Sequence, residues 1–212
     1  MSEPQLQYFT SLNKKFNIKT TGLLNAQTIT RLALRGMIKP FEKQQIRKVD
    51  DLRMISYGLG GYGYDVRLSR KEFKIFQHLP GKIVDPKNFY EGFLVDAELH
   101  SDATGEYFIL PGNTYGLGVL VEYLEIPDDV LALFIGKSTY ARCGAIVNLT
   151  PGENGWRGYL TVELSNSAHS DLKVYANEGI AQALFFRGAP TSICYAGRKY
   201  QDQGHGVVVA KV

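Results

Sequence analysis

Residues that ligate zinc are scarce in this chain. It has two cysteines, Cys143 and Cys194, and four scattered histidines among 212 residues. No CxxC or HxE motif is present, so the ligand spacing of common zinc sites is missing. Two separated thiols cannot make a disulfide framework, and free thiols are typical of reducing compartments. We therefore expect neither a zinc site nor a secreted, disulfide-bonded fold.

Long apolar runs and blocks of like charge are also missing. No stretch approaches the roughly 20 apolar residues that cross a bilayer, and the opening MSEPQLQYFTSLNKK lacks the apolar core of a secretion signal. The net charge of +3 is small for this length, whereas nucleic-acid binders carry denser basic clusters. With 44% apolar and 21% charged residues, the composition is that of a globular domain. We expect a soluble, cytoplasmic protein without a membrane or nucleic-acid partner.

Helical spacing is confined to the start of the chain. Apolar residues recur at helical intervals from Gln5 to Phe16, and a polar break follows. A second helix is predicted after Asn25, a good N-cap residue, and Gly36 is expected to end it. Its apolar stripe comprises Ile29, Leu32 and Ala33. We assign residues 1–23 to a helical extension and residues 24–212 to the main domain.

Short alternating or apolar runs, broken by glycine, proline and asparagine, fill the chain beyond Arg47. The predicted strands include Phe73–Phe76, Tyr107–Leu110, Tyr115–Tyr123, Val130–Ile135, Lys173–Tyr175 and Ala181–Phe186. Many short strands with turn signals are typical of a closed or sandwiched β domain. The glycine cluster in SYGLGGYGYDVRL suits tight turns, and Asp65 and Arg67 within it offer a structural ion pair. We predict a mainly β fold, a distorted barrel or jelly roll with short N-terminal helices.

Most of the candidate chemistry lies between Gly136 and Asn166, in GKSTYARCGAIVNLTPGENGWRGYLTVELSN. Its start places a glycine and small hydroxyl residues between two cations, Lys137 and Arg142, which favours phosphate binding. The pattern is not a P-loop, because that motif requires a glycine where Leu131 stands. Nor is a serine nucleophile indicated, since no histidine and aspartate accompany the loop.

The end of this stretch alternates between apolar and polar residues and predicts a strand. One face would carry Leu160, Val162 and Leu164, and the other Tyr159, Thr161, Glu163 and Ser165. Glu163 is the one acid of the strand. A carboxylate on a rigid strand can act as a general base when desolvation raises its pKa. The strand alone still favours an ordinary solvent-facing glutamate.

Several separated blocks, in order, resemble the dCTP deaminases of the trimeric dUTPase superfamily. These blocks are GKSTYARCG, VNLTP, WRGYLTVELSN and YANEGIAQALFF, preceded by SYGLGGYGYDVRL and VDPKNF and followed by KYQDQ. The resemblance runs from about Leu24 to the end. It implies a dUTPase-like fold and the hydrolytic deamination of dCTP to dUTP and ammonia, which feeds dUMP and dTTP synthesis. Because the zinc-dependent cytidine deaminases need a His and Cys cluster, this deamination would proceed without zinc.

The resemblance assigns catalysis to three residues. Glu163 falls at the place of the family's strand glutamate, which takes a proton from the attacking water and returns it to the departing ammonia. Ser138 matches the serine that helps to position the water and the base. Arg142 matches the arginine that supports the site and balances its charge.

The resemblance also implies how a triphosphate would bind. The predicted substrate-binding residues are Lys137, Ser138, Thr139, Tyr140, Ala141, Arg142, Thr161, Val162, Glu163, Tyr195, Lys199 and Gln203. Lys199 and Gln203 lie on a C-terminal tail that closes over the nucleotide in the family. Magnesium would arrive with the nucleotide, held by phosphates and water. Family sites lie between subunits, so a homotrimer is expected, and the resemblance leaves dTTP open as an inhibitor.

Two segments depart from the family pattern. PGENG lacks the usual bulky apolar residue near Gly152 and the second proline near Asn154, so the shape of the base pocket stays open. The link Tyr195–Lys199 is short, and GHG after Gln203 departs from the usual tail. Tail closure is therefore open as well.

Two alternative functions remain. A dUTP or dCTP pyrophosphatase, alone or coupled to deamination, would release dUMP. It would need an aspartate in a pattern like GxIDxxYxG, where Glu153 is the nearby acid. A non-catalytic nucleotide-sensing module would keep the fold, but it has no evident use for Glu163 together with Ser138 and Arg142.

Overall fold

The computed structural model describes residues 21–189 and 191–211. The first predicted helix, Gln5–Phe16, lies outside these residues, and the assignment of residues 1–23 to an extension stays a prediction. Strands dominate the described chain. They are β1 Gly22–Leu23, β2 Ile38–Lys39, β3 Gln45–Val49, β4 Leu52–Gly60, β5 Gly63–Phe76, β6 Leu94–Asp96, β7 His100–Asp102, β8 Gly105–Leu110, β9 Tyr115–Glu125, β10 Val130–Gly136, β11 Ala145–Asn148, β12 Arg157–Asn166, β13 Leu172–Tyr175 and β14 Gly179–Arg187. Each predicted strand lies within one of them.

Helix α1, Ala26–Ala33, confirms the second predicted helix. The side chain of Asn25 caps it by accepting the backbone N–H of Thr28 at 3.1 Å. Its predicted apolar stripe is buried. Gly36 follows the helix end with a φ of 111°, a conformation that favours glycine. Among residues 21–189 and 191–211, the other helical segments are α2, Ser138–Ala141, and a 3-10 turn, Glu91–Phe93.

One large antiparallel sheet curls around the core. Its main path runs β1-β14-β5-β9-β12-β11, and β2, β3, β4, β6 and β10 attach to this path. A second sheet has the order β13-β8-β7. The predicted glycine-rich turn is the β4–β5 hairpin, whose two-residue loop is Gly61 and Tyr62. The predicted mainly β, distorted-barrel fold is confirmed.

The sheet is stable because one of its faces buries a continuous apolar layer. Central strands contribute fully buried side chains, namely Val66, Leu68, Leu120, Val162 and Leu164. Each such side chain contributes about 1.5–3 kcal/mol relative to an exposed one. The opposite face of β12 is thereby held on a rigid support.

Two buried ion pairs correct the predicted contact between Asp65 and Arg67. Lys137 Nζ lies 2.6 Å from Asp65 Oδ2, and Arg67 Nε lies 2.8 Å from Glu122 Oε1. The predicted pair was wrong because residues two apart on a strand stand about 6.6 Å apart along it. Lys137 and Glu122, which belong to other segments, lie closer to Asp65 and Arg67 than these two residues lie to each other.

Candidate active site

Strand β12 alternates between buried and more accessible residues along its whole length. The apolar face lies in the core and comprises Leu160, Val162 and Leu164. Thr161 and Glu163 lie on the other face, which is partly accessible. The predicted two-faced strand is confirmed. Since its side chain is buried, Val162 can offer a ligand only main-chain groups.

The accessible face of β12 borders a cleft of about 610 Å³, a size typical of small-molecule sites. The cleft brings together predicted ligand-binding residues from the strand and the tail: Thr161, Glu163, Tyr195, Lys199 and Gln203. Aromatic rings form part of the wall. The ring centroid of Phe76 lies 5.9 Å from that of Phe89 and 5.5 Å from that of Tyr115, both edge to face. A carboxylate beside aromatic rings suits a planar, polar base.

A side chain of the neighbouring strand holds the Glu163 carboxylate. Asn148, the last residue of β11, pairs directly with Glu163 in the antiparallel ladder. Asn148 Nδ2 donates a hydrogen bond to Glu163 Oε2 at 2.5 Å. On the other side of β12, burial and then the charge of Glu163 raise the pKa of the Tyr115 hydroxyl. Tyr115 is therefore a neutral phenol at physiological pH.

The C-terminal tail lies against β12 of its own chain. The main chain of Gln203 bridges to Gly158, and Tyr159 donates its backbone N–H to the Gln203 carbonyl at 3.1 Å. A Cβ atom at Gly158 would lie 2.7 Å from the Gln203 nitrogen. Glycine at this position therefore permits the close approach of the tail.

Further along, the tail engages two predicted binding residues. Val208 donates its backbone N–H to Thr161 Oγ1 at 3.2 Å. Lys199 Nζ donates to the Lys211 carbonyl at 2.6 Å. Residues 208–210 also line the cleft. The tail therefore forms one wall of the cleft and hydrogen-bonds to β12.

The remaining predicted site residues lie on the loop that contains α2. Arg142 Nη1 donates to Ser138 Oγ at 3.2 Å, so two predicted catalytic residues meet. Both are exposed, as are Thr139 and Ala141. The first N–H groups of a helical turn lack intrahelical acceptors. This surface can therefore bind an anion.

Two other residues of the loop turn inward. Lys137 Nζ donates to the buried Asp65 and to the Ser56 carbonyl at 2.8 Å, and its side chain is 13% exposed. The Tyr140 hydroxyl accepts the backbone N–H of Tyr175 at 2.8 Å, and burial raises the pKa of Tyr140 well above its usual range. In this chain the Lys137 ammonium is bound to the core, and Tyr140 can offer a ligand only main-chain groups.

In the structure, the predicted site residues lie in two separate places. The cleft with Glu163 is lined by strand and tail residues, and no residue of 137–142 lines it. Ser138 and Arg142 instead lie on a separate exposed turn.

The unusual PGENG loop packs onto β10. Gly152 and Ala132 exchange backbone hydrogen bonds of 2.9 Å. A Cβ atom at Gly152 would lie 3.3 Å from Ala132 Cβ and 3.4 Å from Ile126 Cγ1. No room is left for a bulky side chain there. Pro151 and Glu153 line the cleft instead.

Two features are missing from the part of the chain that the structure describes. Residues 21–189 and 191–211 contain no group of three or more His, Cys, Asp or Glu side chains that could hold a metal ion. The same residues include no helix with the length and apolar character needed to span a membrane.

The sequence matches the family model for dCTP deaminase-like proteins over residues 23–188. The chain belongs to the dCTP deaminase-like family. Curated relatives are similar to this dCTP deaminase-like chain over most of its length. A dCTP deaminase from an Acidovorax species is 51% identical over 179 residues, covering 83% of this chain and 91% of the relative. A dCTP deaminase from Gemmatimonas aurantiaca is 46% identical over 194 residues, covering 90% of this chain and 100% of the relative.

A solved structure has a fold similar to that of this chain. It is the crystal structure of 2'-deoxycytidine 5'-triphosphate deaminase from Agrobacterium tumefaciens, with a TM-score of 0.54 and 18% identity. The similarity covers 80% of this dCTP deaminase-like chain but 49% of that one, so the chain spans about half its length. At this identity the likeness supports the fold alone.

Sequence reasoning did not identify several residues of the cleft. Phe76, Phe89 and Tyr115 form its aromatic wall, and Asn148 holds the carboxylate. The motif VNLTP contains Asn148 but does not indicate its partner, because strand register depends on distant residues. Two of these rings could have been suspected from the sequence, because one predicted strand ends at Phe76 and another begins at Tyr115.

Proposed function

We propose that this protein is a hydrolytic deaminase that converts dCTP to dUTP and ammonia. One observation carries the proposal: Glu163, the acid of β12, borders a cleft with an aromatic wall and lies opposite a hydrogen-bond donor. Relatives named dCTP deaminase, about half identical over most of the chain, support the same substrate.

The chemistry needs one group that both takes and returns a proton. Water attacks C4 of the cytosine ring while the Glu163 carboxylate accepts a water proton. The acid then protonates the amino nitrogen, the C4–N bond breaks, and ammonia leaves. The second water proton ends on N3, so that the products are a uracil ring and ammonia. Catalysis by Glu163 without zinc stays a prediction.

The substrate would be the magnesium complex of dCTP. Magnesium binds phosphate oxygens and water readily and needs few protein ligands. The described residues offer no cluster of carboxylates for it, so they fit a metal that arrives on the nucleotide. The Ser138–Arg142 turn supplies an exposed guanidinium and hydroxyl groups for the charged part of the substrate.

We further propose that a homotrimer completes the site. The Ser138–Arg142 turn does not line the Glu163 cleft of its own chain. Apolar side chains alternate along the outer face of β10, where Leu131, Leu133 and Ile135 are 38%, 37% and 57% exposed. Ile146 of β11 is 61% exposed. Exposed apolar side chains of this kind suit an interface with a second copy of the chain.

A pyrophosphatase reaction has weaker support. Glu153 lines the cleft, but its carboxylate lies 3.4 Å from Arg198. It also stands on the loop that packs onto β10. We therefore propose dUTP rather than dUMP as the product. A cytoplasmic location and the supply of dUMP for dTTP synthesis remain predictions.

One assay separates these functions. Purified protein is incubated with magnesium and dCTP, ammonia is measured, and dUTP, dUMP, dCMP and residual dCTP are separated. Deamination predicts equal amounts of ammonia and dUTP. Pyrophosphate release with dCMP or dUMP would indicate the pyrophosphatase or the bifunctional enzyme. Nucleotide binding without turnover would indicate a sensor. Adding dTTP to the same assay tests inhibition.

A further inference from the structure

We propose that Asn148 is the positioning residue for Glu163: its amide fixes one carboxylate oxygen and leaves the other to face the reacting water. This inference rests on the proposed deamination. It adds a residue outside the predicted catalytic set, acting through Glu163 and not on the substrate.

Strand pairing brings the two side chains together. In the β11–β12 ladder, Val147 pairs with Leu164 and Asn148 with Glu163. Directly opposed residues have Cβ atoms about 4.5–5.5 Å apart. Both side chains stand on the accessible face, since Leu164 on the opposite face is fully buried. A short amide on β11 can therefore reach a carboxylate on β12, and Nδ2 does so at 2.5 Å.

Asn148 contributes little to the core. The residue is exposed, whereas the following Leu149 is 6% exposed and packs inside. Within the described residues, the side chain of Asn148 makes its hydrogen bond to Glu163. A purely structural asparagine usually caps a helix or closes a turn through the backbone. Asn148 instead binds the carboxylate of the predicted catalytic base.

An amide at this place suits the chemistry. It donates a hydrogen bond and does not titrate, so it holds the carboxylate orientation throughout the pH range of the reaction. A hydrogen bond to an ionised carboxylate also favours the charged, proton-accepting form. Because a glutamate side chain is flexible, fixing Oε2 leaves Oε1 in a limited range of positions. Misplacing a catalytic group by about 1 Å can cost on the order of 100-fold in rate.

Other titratable groups line the same cleft and define the background for a pH test. They are Tyr115 from β9, Glu153 from the loop before β12, and Tyr195, Lys199 and Tyr200 from the tail. A substitution at Asn148 leaves all of them in place. A change in the pH profile of the variant can therefore be assigned to the Asn148–Glu163 contact.

The test compares variants by the kcat and KM of ammonia release from magnesium dCTP. Asn148→Ala should lower kcat about 10- to 100-fold and change KM by less than about 3-fold. Asn148→Asp has the same shape but sets a second carboxylate against Glu163. Like charges favour a shared proton, so the acidic limb of its kcat profile should move up by roughly one pH unit or more. Asn148→Gln keeps an amide donor and should recover part of the kcat that Asn148→Ala loses.

Asn88→Asp is the matched control. It makes the same change of charge on an exposed loop residue that does not line the cleft. We expect its kcat and pH profile to equal those of the natural protein. The thermal unfolding midpoint should stay the same for all four variants, because Asn88 and Asn148 are both exposed.

A cycle with Glu163→Gln shows whether Asn148 acts through Glu163. In that background, Asn148→Ala should cause no further loss of residual rate. The inference is overturned if Asn148→Ala keeps kcat within about 2-fold, or if Asn148→Asp leaves the pH profile unmoved. An unmutated protein that released no ammonia from dCTP would instead contradict the proposed function. The two failures are thus distinguishable.

Discussion

The Glu163 cleft and the Ser138–Arg142 turn share the predicted chemistry but are built differently. Glu163 stands in the middle of a sheet, on a strand whose other face is core, with Asn148 bound to its carboxylate. Ser138 and Arg142 stand on one exposed helical turn, and their side chains hydrogen-bond to each other. The strand can fix a carboxylate precisely, whereas the turn exposes the positive charge of Arg142 on the surface.

The difference indicates a division of labour. The reacting base needs a rigid support, because proton transfer depends on distance. A cationic turn that binds phosphate or supports the site can come from another subunit, because charge acts over a longer range than a proton transfer. The inward direction of Lys137 sharpens this contrast, since its ammonium already stabilises buried Asp65. Arg142 is the exposed cation of the turn.

The largest expected effect comes from removing the base at the cleft. Glu163→Gln keeps the size of the side chain and one acceptor oxygen, but the amide cannot take a proton. Ammonia release should fall by about 10²- to 10⁴-fold, while the dissociation constant for magnesium dCTP changes by less than about 3-fold. Single-turnover ammonia release and equilibrium dialysis measure the two quantities.

Glu125→Gln provides the matched control for that variant. Glu125 is an exposed acid on β9 that does not line the cleft, and its pair with Lys39 is long at 3.9 Å. Its activity should stay at the natural level. Retained turnover in Glu163→Gln would remove the carboxylate from the mechanism.

The next effect tests whether the turn serves a neighbouring subunit. Arg142→Ala should lower ammonia release by about 100-fold or more, because it removes the exposed guanidinium of the site. Co-expressing Arg142→Ala with Glu163→Gln should then restore about a quarter of the natural activity. In randomly mixed trimers, that fraction of sites joins an intact Glu163 of one subunit to an intact Arg142 of the next.

The outcome separates the two arrangements. Differently tagged copies allow the mixed trimers to be purified. One site of three is intact in each mixed trimer, so activity should rise to about a third of the natural level after this step. Each variant alone serves as the control. If both residues served the site of the same chain, every site would lack one of them. Mixed assemblies would then stay as inactive as the separate variants.

Local sequence patterns predicted the strand support well but not the contacts between strands. Alternation along β12 put Glu163 on the accessible face, and Asn25 marked the start of α1, because both signals depend on neighbouring residues. The partners of Asp65, Arg67 and Glu163 come from segments far away in sequence. Such pairings follow from register and chain topology, which periodicity alone does not encode.

A third prediction concerns Lys137, the inward-facing cation of the turn, in contrast to the exposed Arg142. Lys137→Ala should lower the free energy of unfolding by about 3–5 kcal/mol, because Asp65 would remain buried with Gln45 as its side-chain partner. Urea unfolding at fixed protein concentration measures this change. Lys173→Ala is the matched control, since its pair with Asp102 is about 40% exposed. It should shift the urea midpoint far less than Lys137→Ala does, because water screens an exposed ion pair. An unchanged urea midpoint for Lys137→Ala would contradict the structural role.

The smallest expected effect concerns how the tail binds to the cleft side of the sheet. The His205 ring stacks on Tyr159 at 4.3 Å, and its Nε2 lies 3.1 Å from Ser69 Oγ. Burial, and then the charge of Lys71, lower the pKa of His205. The released tail therefore binds a proton more readily than the docked tail. Docking should be strongest above the ordinary histidine pKa of about 6.5 and should weaken as the pH falls below it.

Limited proteolysis of the tail between about pH 7.5 and pH 5.5 measures this dependence. Cleavage relative to a reference peptide should rise by a few fold at the acidic end. His205→Phe retains a stacking ring but cannot titrate, so its cleavage should vary little over the same interval. Equal pH dependence in the two proteins would assign the effect to other groups. The tail would then be bound by its backbone contacts to Gly158 and Tyr159, whose strength does not depend on a proton in this interval.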